Sequence, residues 1–314
     1  GEPYPSSGRA RSSALVNPAV SHVFEPGSTF KALTLALALD AEAITTGSTV
    51  YCGGSIAVGR RRISCDHHGG SRAHGVVTPE LAIAKSCNVA ATTWALRIGY
   101  SRYVSFLEKL GLLDRPGLGL PSEARGNFRR DEPAKQLQLA TLGFGQSIGT
   151  VPVSLAAAFA MLGNHGVLVR PRLVRKVGER EMPVRTVGQV VSPSAADATL
   201  RIMESVFENP HGTAAKLRLK GYLLAGKTGT AEKVGSREGG YVSNFVGFVP
   251  AREPRALVLV MVDHPRKAYY GAAVAGPVFV DIAEAILQRF GIPPDRPLGP
   301  SAARPAQRVH QTQG

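Results

Sequence analysis

Glu25-Pro26-Gly27-Ser28-Thr29-Phe30-Lys31-Ala32-Leu33-Thr34-Leu35-Ala36-Leu37-Ala38-Leu39-Asp40 is the stretch on which the reading of this chain turns. From Ser28 to Asp40 it is apolar on nearly every side of a helix, the pattern of a helix buried all round. Ser28 falls in the first turn, where free backbone N–H groups and the helix dipole favour developing negative charge. Lys31 lies three residues on, on the same helical face as the Ser28 hydroxyl. In so apolar a helix Lys31 has no wet face, and its amine needs a partner or a role. Burial and a nearby second cation both depress an amine's pKa, and a neutral Lys31 is able to take the proton of Ser28. Alone, Ser-x-x-Lys is a weak signal that any capped helix with a surface lysine also satisfies.

Two further motifs supply what such a pair lacks. Ser86-Cys87-Asn88 sits between two expected helices, where side chains project into a cleft. Ser86 is placed to relay a proton from Lys31 to a leaving amine, and Asn88 to hydrogen-bond a substrate amide and the Lys31 amine. Lys227-Thr228-Gly229-Thr230 falls at the end of an expected strand. Lys227, Thr228 and Thr230 suit a carboxylate, Gly229 permits close backbone approach, and the N–H groups of Ser28 and Thr230 suit an oxyanion. Each motif alone is matched by an ordinary turn, but together they describe one acyl-transfer site.

Around these motifs the chain reads as alternating helical and strand-like parts. Thr78-Pro79-Glu80 offers a cap, a proline at the first position and an early acid for a helix ending near Ser86. Val89 to Ile98 stops at Gly99, and Ser101 opens another helix that stops at Gly111. Gly47 to Gly75 is loop-like with a short hairpin, residues 113 to 133 look irregular, and Gly143-Phe144-Gly145-Gln146 marks a turn. Pro152 to Leu162 and Pro193 to Glu208 read as helices around a basic, short-stranded segment. Tyr222 to Thr230, Ser243 to Val249 and Ala256 to Val262 read as successive antiparallel strands, and Gly276-Pro277 as the start of a helix to Phe290. There are no internal repeats.

The 314 residues are 44% hydrophobic, enough for a substantial core. No run of eighteen apolar residues occurs, and Gly1-Glu2-Pro3-Tyr4-Pro5 lacks the features of a signal peptide. The formal charge of +14 is dispersed apart from runs such as Arg60-Arg61-Arg62, with no nucleic-acid-binding signature. It reads as a solvated basic face rather than a nucleic-acid site. Three cysteines, Cys52, Cys65 and Cys87, exclude a disulfide framework. The run Cys65-Asp66-His67-His68 suggests zinc, but no CxxC pair accompanies it, and the expectation is that no metal is held. A Cys52–Cys65 disulfide and two unlinked cysteines both stay open.

In order and context, the three motifs resemble those of penicillin-binding proteins and serine β-lactamases. The segments Phe24 to Lys31, Gly143-Phe144-Gly145-Gln146, Gly226 to Glu232 and Asn244-Phe245-Val246-Gly247-Phe248 are similar to the transpeptidase domain of class B penicillin-binding proteins. Gly119-Leu120-Pro121-Ser122-Glu123 resembles the division-specific, septal members. The likeness runs over roughly residues 3 to 291 and implies an α/β (α+β) fold, an antiparallel sheet flanked by helices plus an all-helical region. It implies a transpeptidase domain over 1–291 and a disordered tail over 292–314.

The implied activity is a serine D,D-transpeptidase of septal peptidoglycan synthesis that needs no cofactor. Ser28 is the implied nucleophile, with Lys31, Ser86, Asn88 and Lys227 catalytic, Thr228, Gly229 and Thr230 binding substrate, and the Ser28 and Thr230 amides forming the oxyanion hole. The implied partners are D-Ala-D-Ala stem peptides, β-lactams, a glycosyltransferase and divisome membrane proteins, at the outer side of the cytoplasmic membrane. A β-lactamase or D,D-carboxypeptidase, for which Glu123 and Glu132 lie in a candidate loop, and a non-catalytic β-lactam sensor or scaffold are the competing readings. Members of this type carry a membrane helix, a further domain and a strand hairpin ahead of a segment like Pro3-Tyr4-Pro5-Ser6-Ser7. The expectation is a fragment with an unpaired sheet edge beside Ala256 to Val262.

Overall fold

The computed structural model describes residues 16–65, 73–130, 135–232 and 239–297. Expectations placed on Pro3 to Ser7, Asp66, His67, His68, Glu132 and residues 298–314 lie outside them. Helix α1 (Pro18–Ser21) leads to Phe24, whose backbone pairs with Thr150. A 3-10 turn over Gly27–Phe30 then runs into α2 (Lys31–Asp40), so the expected single helix begins with a tighter turn. Every residue from Lys31 to Ala38 is buried, and α2 packs against two later helices. Its one hydroxyl is satisfied, because Thr34 Oγ1 lies 2.6 Å from Tyr103 Oη and donates to the Gly143 carbonyl at 2.9 Å.

Short strands follow: β1 (Val50–Cys52), the hairpin β2 (Ser55–Val58) and β3 (Arg61–Ser64), and β4 (Gly75–Val77), which pairs antiparallel with β1. Helix α3 (Pro79–Ala84) starts as expected, with Thr78 Oγ1 accepting from the Leu81 amide at 3.3 Å. Helices α4 (Asn88–Ile98) and α5 (Tyr100–Lys109) meet at Gly99, whose φ of 85° lets the chain turn at once. Helix α5 therefore begins at Tyr100, and Ser101 lies inside it rather than capping it. Helix α6 (Lys135–Leu142), which no sequence signal announces, ends on the expected turn at Gly143 to Gln146. Helix α7 (Pro152–Ala160) closes in a 3-10 turn over Leu162–Asn164. Strands β5 (Val167–Val169), β6 (Lys176–Val177), β7 (Arg180–Glu181) and β8 (Thr186–Gln189) form two small pairs, β5 with β8, where Leu168 is buried, and β6 with β7, which is exposed. The expected helix over Pro193 to Glu208 is broken at Glu204 into α8 (Pro193–Met203) and α9 (Ser205–Glu208).

Strands β9 (Ala225–Glu232), β10 (Tyr241–Val249) and β11 (Ala256–Asp263) make an antiparallel sheet in the order β11-β10-β9. Among the described residues β11 pairs only with β10. The register sets Val246 opposite Lys227 and Asn244 opposite Gly229. Alternation then divides the sheet: Phe245 faces one side, while Asn244 faces the turn that bears Ser28. Helix α10 (Gly271–Arg289) covers the Phe245 side, its Phe279 ring stacked on Phe245 with centroids 4.7 Å apart. Phe207 of α9 completes the cluster, 5.7 Å from Phe245.

Helix α10 starts earlier than expected, and Pro277 lies within it rather than at its head. The cause is close packing: a side chain on Gly271 would meet the carbonyls of Gly229 and Asn244, and the Gly271 amide donates to Thr230 Oγ1 at 3.1 Å. By length and composition α10 is apolar enough to cross a membrane, yet Ala275, Phe279, Ala283 and Leu287 are buried against the sheet side. Residues 292–297, expected in the tail, are held. Tyr222 Oη donates to the Ile292 carbonyl at 3.1 Å, and Asp295 accepts from the Leu223 amide at 2.7 Å. Phe245→Ala is expected to lower stability by about 3–5 kcal/mol, read as a lower urea midpoint.

Candidate active site

The turn that presents Ser28 is clamped by backbone on three sides. Gly27 takes a φ of 58°, its amide donates to the Gly145 carbonyl at 3.0 Å, and a Cβ on it would meet the Thr230 carbonyl at 3.0 Å. Only glycine fits there without strain, so the Ser28 turn lies directly against β9. A Cβ on Gly145, at a φ of 79°, would sit 2.2 Å from the Gly27 carbonyl oxygen, while one on Gly143 would sit 2.6 Å from the Ala91 carbonyl oxygen of α4, so the two glycines of this turn let it approach two different neighbours. Asn244 Nδ2 donates to the Pro26 carbonyl at 3.2 Å, and Glu25 accepts from the Ser147 amide at 2.9 Å. Neither Asn244 nor Glu25 was singled out in the sequence for this task.

Three motifs converge on one hydroxyl. Lys31 Nζ lies 2.9 Å from Ser28 Oγ, 3.0 Å from Ser86 Oγ and 2.6 Å from the Ser86 carbonyl. Lys227 Nζ reaches the same Ser86 Oγ at 2.9 Å. Ser86 adopts a φ of 57° just past the end of α3, the left-handed turn that swings its side chain between the two amines. Ser28, Ser86 and Asn88 are 6 to 8% exposed, while both lysines are fully buried.

Among the described residues no carboxylate pairs with either lysine. Burial pulls the Lys31 amine down to about 8, partly opposed by the nearby Cys87 and Cys65 sulfurs. Burial also pushes Lys227 well down, helped by the positive charge of Lys31. Two adjacent buried cations are costly to charge together, so the site favours a state in which one amine is neutral. With Lys31 as the neutral amine, its Nζ accepts from Ser28 Oγ and donates to Ser86 Oγ, a continuous path for a proton from Ser28 to Ser86.

The remaining expected residues fall around this core with two differences. Lys227 lies inside β9 rather than at a strand end, and its amine is covered, pointing to Ser86 and the Thr228 carbonyl. Asn88, the first residue of α4, turns its amide nitrogen to the Ser64 carbonyl at 2.7 Å rather than to Lys31, leaving the buried Oδ1 without a partner among the described residues. Thr228 Oγ1 donates to Thr213 Oγ1 at 3.1 Å, and the Thr213 amide donates to the Ala84 carbonyl. Thr213 had no signal of its own beyond following Gly212, where a Cβ would collide with the Val206 carbonyl. Gly229 fits because a Cβ there would strike Asn244 Oδ1 at 2.3 Å. Glu123, a candidate water-activating residue, instead accepts from the Gly117 and Leu120 amides in an exposed loop.

Residues 2–284 match the family described as the penicillin binding protein transpeptidase domain. This chain belongs to that family. It is 31% identical to the penicillin-binding protein PbpB of Mycolicibacterium smegmatis over 95% of this chain and 48% of that protein. It is 32% identical to the peptidoglycan D,D-transpeptidase FtsI of Escherichia coli K12 over 90% of this chain and 47% of that one. The chain spans about half the length of the curated relatives it matches. The crystal structure of penicillin-binding protein 3 from Mycobacterium tuberculosis complexed with aztreonam superposes with a TM-score of 0.79 at 29% identity, covering 90% of this chain and 66% of that one.

The depressed Lys31 gives a signed prediction. Its folded pKa lies below the unfolded value, so between about 8 and 10.5 the unfolded chain holds a proton the folded one lacks, and folding gains stability as pH rises. One such lysine contributes a slope approaching about 1.4 kcal/mol per pH unit. Urea denaturation at about pH 8 and pH 10 is expected to show a larger gain for wild type than for Lys31→Met. Equal gains contradict the buried, neutralised amine.

Proposed function

We propose that this domain is the catalytic part of a serine D,D-transpeptidase that cross-links peptidoglycan stem peptides. The observation that carries the reading is the hydrogen-bonded chain Ser28 Oγ, Lys31 Nζ, Ser86 Oγ, Lys227 Nζ. Ser28 Oγ attacks the carbonyl of the penultimate D-alanine while its proton passes to neutral Lys31. The Ser28 and Thr230 amides hold the oxyanion, since Gly27 and Thr230 lie in contact across the turn and β9. The amide C–N bond breaks, Ser86 delivers the proton to the departing D-alanine amine, and Lys31 reprotonates Ser86. An amine from a second stem then attacks the Ser28 ester, the new amide forms, and Ser28 regains its proton.

In this arrangement Thr228 and Thr230, with Thr213 beside them, take the substrate carboxylate, and Lys227 fixes Ser86 from behind. A β-lactam presents a strained amide to the same nucleophile, and its amine leaving group stays tethered in the opened ring. The likeness of Gly119 to Glu123 to septal members favours work in cell division, outside the cytoplasmic membrane and beside a glycosyltransferase and divisome proteins. Because Glu123 is engaged by loop amides, it does not favour a deacylating β-lactamase.

Intact-mass spectrometry after benzylpenicillin is expected to show one drug added to wild type and none to Ser28→Ala. An adduct on Ser28→Ala removes Ser28 as nucleophile, and loss of the wild-type adduct within seconds assigns the domain to β-lactamases instead.

A further inference from the structure

Beside Ser86, three sulfurs and an imidazole meet that the acyl-transfer chemistry does not use. Cys52 Sγ lies 3.5 Å from Cys65 Sγ, Cys65 Sγ lies 3.5 Å from Cys87 Sγ, and Cys52 Sγ lies 3.7 Å from His74 Nδ1. All four atoms fall within 4.8 Å of one another. They come from separate places: the end of β1, the residue after β3, the residue before β4, and the cap of α4. The three cysteines are buried and none is in a disulfide.

We propose that Cys52, Cys65, His74 and Cys87 form a structural site for one tetrahedral divalent cation, zinc by its ligand set, and that this metal fixes the Ser86-Cys87-Asn88 turn. Zinc takes sulfur at about 2.3 Å and nitrogen at about 2.0–2.1 Å, so a tetrahedron sets sulfurs about 3.8 Å apart and sulfur about 3.6 Å from nitrogen. The 3.5 and 3.7 Å separations are close to those edges, and far from the roughly 2.0 Å of a disulfide. A disulfide would also use two thiols and leave a third thiol and the imidazole without a role. Backbone amides already point at the sulfurs, Val89 N to Cys65 Sγ at 3.3 Å and Ala90 N to Cys87 Sγ at 3.4 Å, the outer bonds that steady thiolate ligands. Four protein ligands leave no open position, which marks a structural centre.

The link to the turn is covalent. Cys87 separates Ser86 from Asn88, and Cys65 follows Ser64, whose carbonyl takes the Asn88 amide. Joining Cys65 to Cys87 through a metal therefore holds both flanking side chains in register. The site is not legible in the sequence because its ligands are long-range: the run that suggests zinc there is Cys65 to His68, and no metal is expected from it, whereas the structure brings His74 and Cys87 to Cys65. The positioning role rests on the proposed transpeptidase reading, while metal binding itself does not.

Protein purified under reducing conditions with zinc in the medium is expected to hold about one zinc per chain by plasma mass spectrometry. Exchange to cobalt is expected to give thiolate charge-transfer absorption and the intense d–d bands of a tetrahedral site. Cys52→Ser and His74→Ala are each expected to weaken zinc retention against a chelating dye at least about tenfold. Wild type that is metal-free with three titratable thiols and no cobalt spectrum overturns the site even if the variants misfold, as does a Cys52–Cys65 disulfide that persists in place of metal. Removing zinc is expected to slow acylation by a fluorescent penicillin about tenfold, with recovery on adding zinc back. An unchanged rate overturns the positioning role. Zinc-loaded wild type that is never acylated overturns the Ser28 reading and leaves the metal site standing.

Discussion

Two buried lysines share one serine hydroxyl, and the rest of the site is arranged around keeping them there. Lys31 comes from α2, Lys227 from β9, and Ser86 from the turn between α3 and α4, so the contact ties the helical region to the sheet. Neither amine has a carboxylate partner among the described residues. Burying such cations is unfavourable, and the fold offsets it with backbone carbonyl acceptors and the Ser86 hydroxyl. The consequence is chemical: an amine that resists charging is a base.

The clamp on the Ser28 turn follows from the same constraint. Ser28 can face Lys31 only if the turn before it lies flat against β9, and flatness requires Gly27 to accept a positive φ and Gly145 to approach without a side chain. Asn244 from β10 ties Pro26 to the neighbouring strand. Placement of Ser28 therefore depends on strand register, and register depends on the Phe245, Phe279 and Phe207 cluster on the opposite face.

What was legible beforehand was what local pattern controls. The apolar run after Ser28, the Thr78-Pro79 cap and the alternating strands before α10 all announced themselves, and so did three of the polar motifs. What was not legible depended on distant packing. Lys135 to Leu142 alternates Gln and Leu like a strand, yet Gln138 and Leu139 are both buried in a helix. Pro277 reads as a helix start, but contacts of Gly271 with the sheet begin the helix earlier. The covered amine of Lys227, the turn of Asn88 toward Ser64, and the meeting of Thr213 with Thr228 are side-chain outcomes that no spacing encodes.

The most direct test of the shared-hydroxyl account is the second-order rate of acylation by a penicillin in Ser86→Ala, with circular dichroism and urea midpoint as controls for folding. Loss of the proton relay is expected to slow acylation by about 10²–10⁴-fold in a protein that remains folded. A folded Ser86→Ala variant that acylates within threefold of wild type would contradict the account, because Ser86 would then not join the two lysines in the reaction.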